Sequence, residues 1–301
     1  MPVLPRHLIA AALLVAAGLA LAAPPKVLRI ASESETGFDP ARVGDVRSFR
    51  VIAHIFEPLL RYDPLARPVK LVPLTAAAMP EPSDDFRTWT VRVRPGIFFT
   101  DDPAFGGRPR ELVAADYAYS IRRLADPATK SPGWSSIEQA GISGLAALRR
   151  EAVERQTPFD HDRPIPGLTV LDRHTLQFRL DAGRPRFPQW LAEGATAAVA
   201  REVIEAQGER SMQHPVGTGP FRLAEWRRAS RIVLERNPGY RERRYEAEPA
   251  ADDAEGQAIL QRLQGRRLPM IDRVEIAVID EKQPTWLAFL NGETDWIELP
   301  D

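Results

Sequence analysis

The sequence predicts a mixed α/β or α+β fold, because its hydrophobic period switches repeatedly between two residues and about 3.6. Three stretches carry that expectation. In "TWTVRVRPG" (88–96), Trp89, Val91 and Val93 alternate with Thr90, Arg92 and Arg94 until Pro95-Gly96 ends the run, the pattern of a half-buried strand. In "LTVLDRHTLQFRL" (168–180) the alternation occurs on both sides of Asp172-Arg173, which predicts a hairpin with Leu176, Phe178 and Leu180 on one face. Between them, "LVAADYAYSIRRLADP" (112–127) sets Val113, Tyr117, Ile121 and Leu124 on one helical stripe, and Pro127 ends it.

A further strand pair is expected in "VGTGPFRLAEWRRASRIVLERNPGYRER" (216–243). "FRLAEW" and "SRIVLERN" are joined through Arg227-Arg228-Ala229, and Phe221, Leu223, Ile232 and Leu234 are candidate core contacts. Gly217 and Gly219 permit backbone angles and close approaches that a side chain would block, and Pro220 stiffens the exit. Both a plain structural turn and a ligand loop fit this pattern.

Composition narrows the classes. With 301 residues, 44% hydrophobic and 27% charged, the chain can bury a sizeable core and is expected to form two domains. A formal net charge of −1 gives no general attraction for nucleic acid or anionic lipid, so no nucleic-acid partner is expected. A cysteine count of 0 excludes disulfides, thiolate metal sites and a lipid-bearing cysteine in this sequence.

The start, "MPVLPRHLIAAALLVAAGLALAAPPK", has a basic Arg6, an apolar run from Leu8 to Leu21 and small residues around Ala22, the layout of a secretory signal peptide over residues 1–23. As a membrane anchor the run is shorter than the ~20 residues that span hydrocarbon, and Pro24-Pro25 stop the helix at once. The expectation is therefore a secreted, soluble, periplasmic protein.

The succession "LRIASESETGFDPAR" (28–42), "VIAHIFEPLLRYDP" (51–64), "WTVRVRPGIFF" (89–99), "VAADYAYSIRRLADP" (113–127), "VGTGPFRLAEW" (216–226), "IVLERNPGY" (232–240), "IDRVEIAVID" (271–280) and "AFLNGETDW" (288–296) resembles the family-5 solute-binding proteins of ABC transporters. These are extracytoplasmic receptors for oligopeptides, dipeptides, nickel chelates and haem. Each fragment is soft, but eight in order cover nearly the whole mature chain. The resemblance implies an α/β, periplasmic-binding-protein-like lobe of type II, large-cluster class. Residues 24–48 and 166–301 would form the first lobe, and 49–165 a small α+β domain inserted in it. It also implies a peptide or other small solute as ligand, an inner-membrane ABC permease as partner, a monomer, and no cofactor.

The sequence also departs from the family's pattern. The small residue and tryptophan usual after "LVP" are replaced in "LTAAAMPEP" (74–82), and the usual His-Asp-Gly after the Phe-rich strand reads "FTDDPAFGGRPREL" (99–112). Where the family opens a helix with a threonine cap, this chain has Val113, whose side chain cannot accept a backbone hydrogen bond. The extra segment 243–270 is expected to hold one added surface helix, with Asp252 or Asp253 as N-cap, Ile259, Leu260 and Leu263 as its apolar stripe, and Gly265 as its stop; a partner-binding role is the alternative. Family members continue beyond "WIELPD", so the resemblance implies that the second ligand lobe is missing and the sequence is a fragment or a truncated product.

The family binds without reacting. A peptide lies between two lobes on main-chain hydrogen bonds, with its side chains in hydrated pockets. By resemblance, Ser34, Glu35, Thr36 and Gly37 form the edge that meets ligand, with Gly217, Thr218 and Gly219 close by; the bland reading is an exposed turn leading into a core Phe38. The acidic partner of a peptide's amino group would lie in the missing lobe. Catalysis is not expected: the five histidines, His7, His54, His161, His174 and His214, show no metal-ligand spacing such as HExxH, and no serine has a nucleophile-elbow context. His161 between Asp160 and Asp162 reads as a polar loop before it reads as a metal site. Haem or nickel-chelate binding would draw on His54, Met79 and His214, which are far apart in sequence, so peptide capture is the better reading.

Overall fold

The computed structural model describes residues 24–298. The expected signal peptide lies outside the described residues. In chain order the elements are β1 (Val27–Ser32), α1 (Val46–Ile55), β2 (Leu60–Tyr62), β3 (Leu71–Pro73), β4 (Glu81–Pro82), β5 (Thr88–Arg92), α2 (Ala114–Ala125), α3 (Trp134–Ala140), α4 (Leu145–Arg155), β6 (Leu168–Val170) and β7 (Thr175–Arg179). They continue with α5 (Arg201–Gln207), β8 (Phe221–Arg227), β9 (Arg231–Arg236), β10 (Arg243–Arg244), α6 (Ala254–Leu263), β11 (Arg267–Leu268), β12 (Arg273–Val278) and α7 (Lys282–Leu290).

The first sheet has the order β1-β12-β9-β8. β1 and β12 run parallel from Val27↔Arg273 to Ser32↔Val278, and the other two pairings are antiparallel. The predicted hairpin turns at 228–230, with Ala229 at a φ of 53°, and a register shift lies between Leu223 and Glu225. Phe221, Ile232, Leu234, Val274 and Ile276 are buried, while Leu223 is half-buried. α1 covers this face with Val51, Ile52 and Ile55, and Phe38 and Phe56 fill the gaps around it. The helix starts where it does because the Asp45 carboxylate accepts the Ser48 N–H at 2.7 Å, a side-chain N-cap.

The second sheet, β4-β5-β7-β6, is antiparallel, with Trp89↔Phe178 and Val91↔Leu176 in register. Their side chains meet Tyr117, Ile121 and Leu124 of α2 in the larger core, so the alternation in strands and the stripe in the helix point at each other as expected. Val113 indeed offers no cap acceptor. Its N–H is taken instead by Asp116, one turn inside the helix, at 2.8 Å, and the same carboxylate receives Arg110 at 2.7 Å.

Pairing and packing divide the chain differently from the expected 24–48 and 166–301 against 49–165. The hairpin at 168–179 hydrogen bonds to β5 rather than to the first sheet, because its Leu176 and Phe178 fit opposite Val91 and Trp89. Helix α1, which straddles the expected boundary at 48/49, packs on the first sheet along its whole buried face. The added segment 243–270 is a short ribbon, β10 paired with β11, from which α6 loops out; Asp253 caps the helix through Gly256 N–H at 2.9 Å, and Gly265 takes a φ of 73°.

Two buried ion pairs rivet the cores. Asp39, in the loop between β1 and α1, receives Arg123 of α2 through two nitrogens at 2.9 and 2.7 Å and the Ser211 hydroxyl at 2.8 Å. Glu57, just after α1, receives Arg241 at 2.6 and 3.0 Å, the Tyr240 hydroxyl at 3.1 Å and the Thr218 hydroxyl at 3.0 Å. Such pairs are tolerated inside a protein when further hydrogen bonds occupy the remaining lone pairs, as both do here.

Candidate functional site

In α/β sheets ligands bind beyond the carboxyl ends of the parallel strands, where chain directions diverge and loops leave a crevice. Here that place is the end of β1 and β12. The two strands stay in register until Ile279 donates to the Ser32 carbonyl at 2.9 Å, then one chain turns toward α1 and the other toward α7. A cleft of about 400 Å³ opens between them, lined by Ser32, Glu33, Arg47, Asp280, Lys282 and Trp296, among others. Trp296 pairs with Ile30 as a further parallel neighbour of β1 and leaves half of its surface exposed. Glu33 pairs with Arg47, and Arg50 pairs with Glu298 at 3.0 Å, so both signs of charge stand on the rim.

Beside this cleft the segment 34–37 alternates. Ser34 and Thr36 are exposed, and Glu35 and Gly37 are buried. Ser34 donates its N–H to Asp280 at 2.7 Å and its hydroxyl to the same carboxylate at 2.8 Å. The N–H and hydroxyl of Ser34 hold the Asp280 carboxyl below its ordinary value. Thr36 donates its hydroxyl to Asp45 at 2.6 Å and its N–H to Ser48 Oγ at 3.0 Å. Partial burial pulls Asp45 upward, but the hydrogen bonds from Thr36 and Ser48 outweigh it and keep this carboxyl below the ordinary range. Glu35 turns inward, where one oxygen accepts the Trp226 indole N–H and the other has no protein partner. Gly37 lies against Met212: an added Cβ would come within 3.0 Å of the Met212 carbonyl oxygen, which itself accepts the Phe38 N–H at 2.9 Å.

Gly217, Thr218 and Gly219 are placed elsewhere. All three are buried under the C-terminal turn of α1, and none lines the cleft beside Ser34. An added Cβ on Gly217 would lie 2.0 Å from the Ile55 carbonyl oxygen, and one on Gly219 would lie 2.6 Å from that of His54. Gly219 N–H caps the Ile55 carbonyl at 2.8 Å, and Thr218 binds Glu57. Neither glycine has a positive φ. Close backbone approach, not unusual dihedrals, is what demands glycine there.

The remaining candidates scatter. His54 sits on α1 beside Phe221, Met79 in the loop before β4, and His214 at 2.6 Å from Asp102. His161 bonds Asp126 at 3.1 Å, whereas Asp160 accepts N–H groups of its own loop and Asp162 pairs with Arg201. Among the described residues no group of three or more His, Cys, Asp or Glu could hold a metal ion. Ser34 has only a carboxylate beside it and no histidine. The chemistry that the described residues of this segment offer is hydrogen bonding and charge pairing.

Sequence reasoning passed over Asp280, Asp45, Ser48 and Trp296. Asp280 had a usable signal, since "VIDEKQPT" is a strand ending in acidic residues directly before a helix.

The fold and cleft define an α/β ligand-binding lobe of the periplasmic-binding-protein type. Solved structures share it: the Escherichia coli murein tripeptide binding protein MppA, with a TM-score of 0.68 and 24% identity, covers 91% of this chain and 46% of its own. Haemophilus influenzae OppA in complex with RPPGFSPFR gives a TM-score of 0.69 at 20% identity, again over 91% of this chain and 46% of that one.

The sequence profile described as bacterial extracellular solute-binding proteins, family 5 middle, matches residues 70–301, and the chain belongs to that family. The periplasmic oligopeptide-binding protein OppA of Salmonella typhimurium is 30% identical over 231 residues, which is 75% of this chain and 38% of the relative. The di/tripeptide-binding protein 2 of Pseudomonas aeruginosa is 29% identical over 241 residues, 79% of this chain and 42% of the relative. The chain thus spans about two fifths of the length of these curated relatives.

Proposed function

We propose that this chain forms ligand-binding structure of a periplasmic receptor that captures oligopeptides or dipeptides and delivers them to an inner-membrane ABC permease, working as a monomer and without catalysis. Family membership and relatives named for peptide binding support this reading. The observation that carries it is the cleft beyond β1 and β12, with Ser34 and Thr36 exposed beside it. We assign these two to ligand contact. Glu35 and Gly37 shape the segment from behind, and Gly217, Thr218 and Gly219 hold its support against α1. A peptide backbone needs donors and acceptors along an extended edge, and hydrated space for varied side chains. The mixed-sign rim meets both needs. A metal-chelate or haem ligand is less well served, because His54, Met79 and His214 do not converge.

The test is calorimetric titration of the full chain with a pool of two- to five-residue peptides, together with mass spectrometry of whatever co-purifies. Saturable peptide binding is expected, weakened about tenfold by Ser34→Ala combined with Thr36→Val, equivalent to about 1.4 kcal/mol. A co-purified haem or metal chelate, with no peptide binding, would refute the assignment.

A further inference from the structure

A second cavity, of about 580 Å³, lies at the other end of the first sheet. It is bounded by Ile271, just ahead of β12, and by Phe221, the first residue of β8, whereas the cleft begins after β12 has ended. The six residues of that strand, at about 3.3 Å each, hold the two roughly 20 Å apart. The volume falls within the ~300–1,000 Å³ usual for small-molecule pockets.

Its walls are apolar: Ile52 and Ala53 of α1, Leu60 and Tyr62 of β2, and Tyr245 and Met270 beside the β10–β11 ribbon. The polar end is cationic. Arg61 and Arg243 both line the cavity, and among the described residues neither is in an ion pair, while the adjacent Arg241 and Arg244 are paired with Glu57 and Glu242. Arg61 Nε is buried with no partner, and its terminal nitrogens reach only the carbonyls of Tyr62 at 3.3 Å and Glu246 at 3.5 Å. The carboxylate of Asp63, two residues on, is already taken by the N–H groups of Leu65, Ala66 and Glu248. Burial, and then the neighbouring Arg243 charge, push the Arg61 guanidinium below its ordinary pKa despite the opposite pull of Asp63 and Glu246. Glu57 also borders the space, but Arg241 neutralises it. His54 also lines the space, but burial pushes its imidazole below the ordinary value, so it adds no charge near neutral pH.

An apolar chamber with unpaired guanidiniums at one end is complementary to an amphipathic anion, and not to a zwitterionic peptide that needs hydrogen bonds along its length. We propose that this cavity binds an alkyl monocarboxylate of fatty-acid type, its chain against Tyr62, Tyr245 and Met270 and its carboxylate on Arg61 and Arg243. The site is separate from the peptide cleft. Its occupation does not depend on what that cleft holds.

The experiment is calorimetry of the full chain with dodecanoate below its micellar concentration, beside dodecanol and dodecylammonium, which carry the same tail. Saturable one-to-one binding of dodecanoate is expected, with dodecanol at least tenfold weaker and dodecylammonium weaker still. Arg61→Gln with Arg243→Gln should lower dodecanoate to the level of dodecanol. Ala53→Trp, which fills the cavity from an exposed helix position, should abolish binding of both tails. That variant and the head-group comparison stand even where the double arginine variant does not fold. A peptide pool should leave dodecanoate affinity unchanged. Absence of saturable dodecanoate binding, equal affinity for the alcohol, persistence in Ala53→Trp, or displacement by peptides would each overturn the proposal.

Discussion

The segments 34–37 and 216–220 read alike in sequence, as small and polar residues around glycine ahead of a core phenylalanine, yet the structure uses them in opposite ways. The first presents two hydroxyls toward water and binds them to the exposed or half-buried carboxylates of Asp280 and Asp45. The second has no outward face. Its glycines touch the last carbonyls of α1, and its threonine is a hydrogen-bond donor to the buried Glu57–Arg241 pair. The difference shows that a glycine-rich turn states a steric need without saying whether solvent, ligand or backbone supplies it. Mutational cost should therefore separate the two regions sharply.

The largest effect is expected at the buried ion pairs that rivet the cores. Arg123→Met would leave Asp39 uncompensated in the interior and should cost roughly 3–5 kcal/mol, read as a fall in the denaturant midpoint. A loss under 1 kcal/mol would mean that water reaches Asp39 and that the junction is looser than described. Gly217→Ala comes next, at roughly 1–3 kcal/mol, since the new methyl must displace the Ile55 carbonyl. Wild-type thermal stability in that variant would rule out the close approach.

On the exposed side the costs shrink. Asp45→Ala removes the α1 cap and the Thr36 acceptor and should cost about 1 kcal/mol. Ser34→Ala should change stability by less than about 0.5 kcal/mol while weakening ligand, so a stability loss matching that of Gly217→Ala would erase the contrast.

Acid sharpens the comparison further. Asp39 and Asp45 both have folded pKa values below the ordinary 3.8, Asp39 because the Arg123 and Ser211 hydrogen bonds outweigh its burial. Glu111 is held down to about 2 by the Gly96 N–H and then by Arg173. A depressed carboxylate adds stability that is complete above its unfolded value and disappears as pH falls through the folded one. The share of stability carried by these three carboxylates should thus be flat from neutrality to about pH 5 and fall between about pH 4.5 and 2. Glu111→Gln should flatten part of that decline in urea titrations at each pH, and an unchanged slope would count against the bonding around Glu111.

Much of this molecule was legible as sequence. The half-buried strand at 88–92, both hairpins, the α2 stripe and the Asp253-capped insertion follow from period, caps and turn residues, because those signals act between residues a few positions apart. The family, too, was readable from the order of short segments. Tertiary structure alone decided that β1 pairs with β12, whose residues are 246 positions apart in the Val27↔Arg273 register. It also decided that the 168–179 hairpin joins β5, that Glu35 faces inward beside exposed neighbours, and that Gly217 and Gly219 serve packing. These outcomes depend on which distant surface covers a residue, and the local pattern is the same whether that surface is water, a carbonyl or another strand.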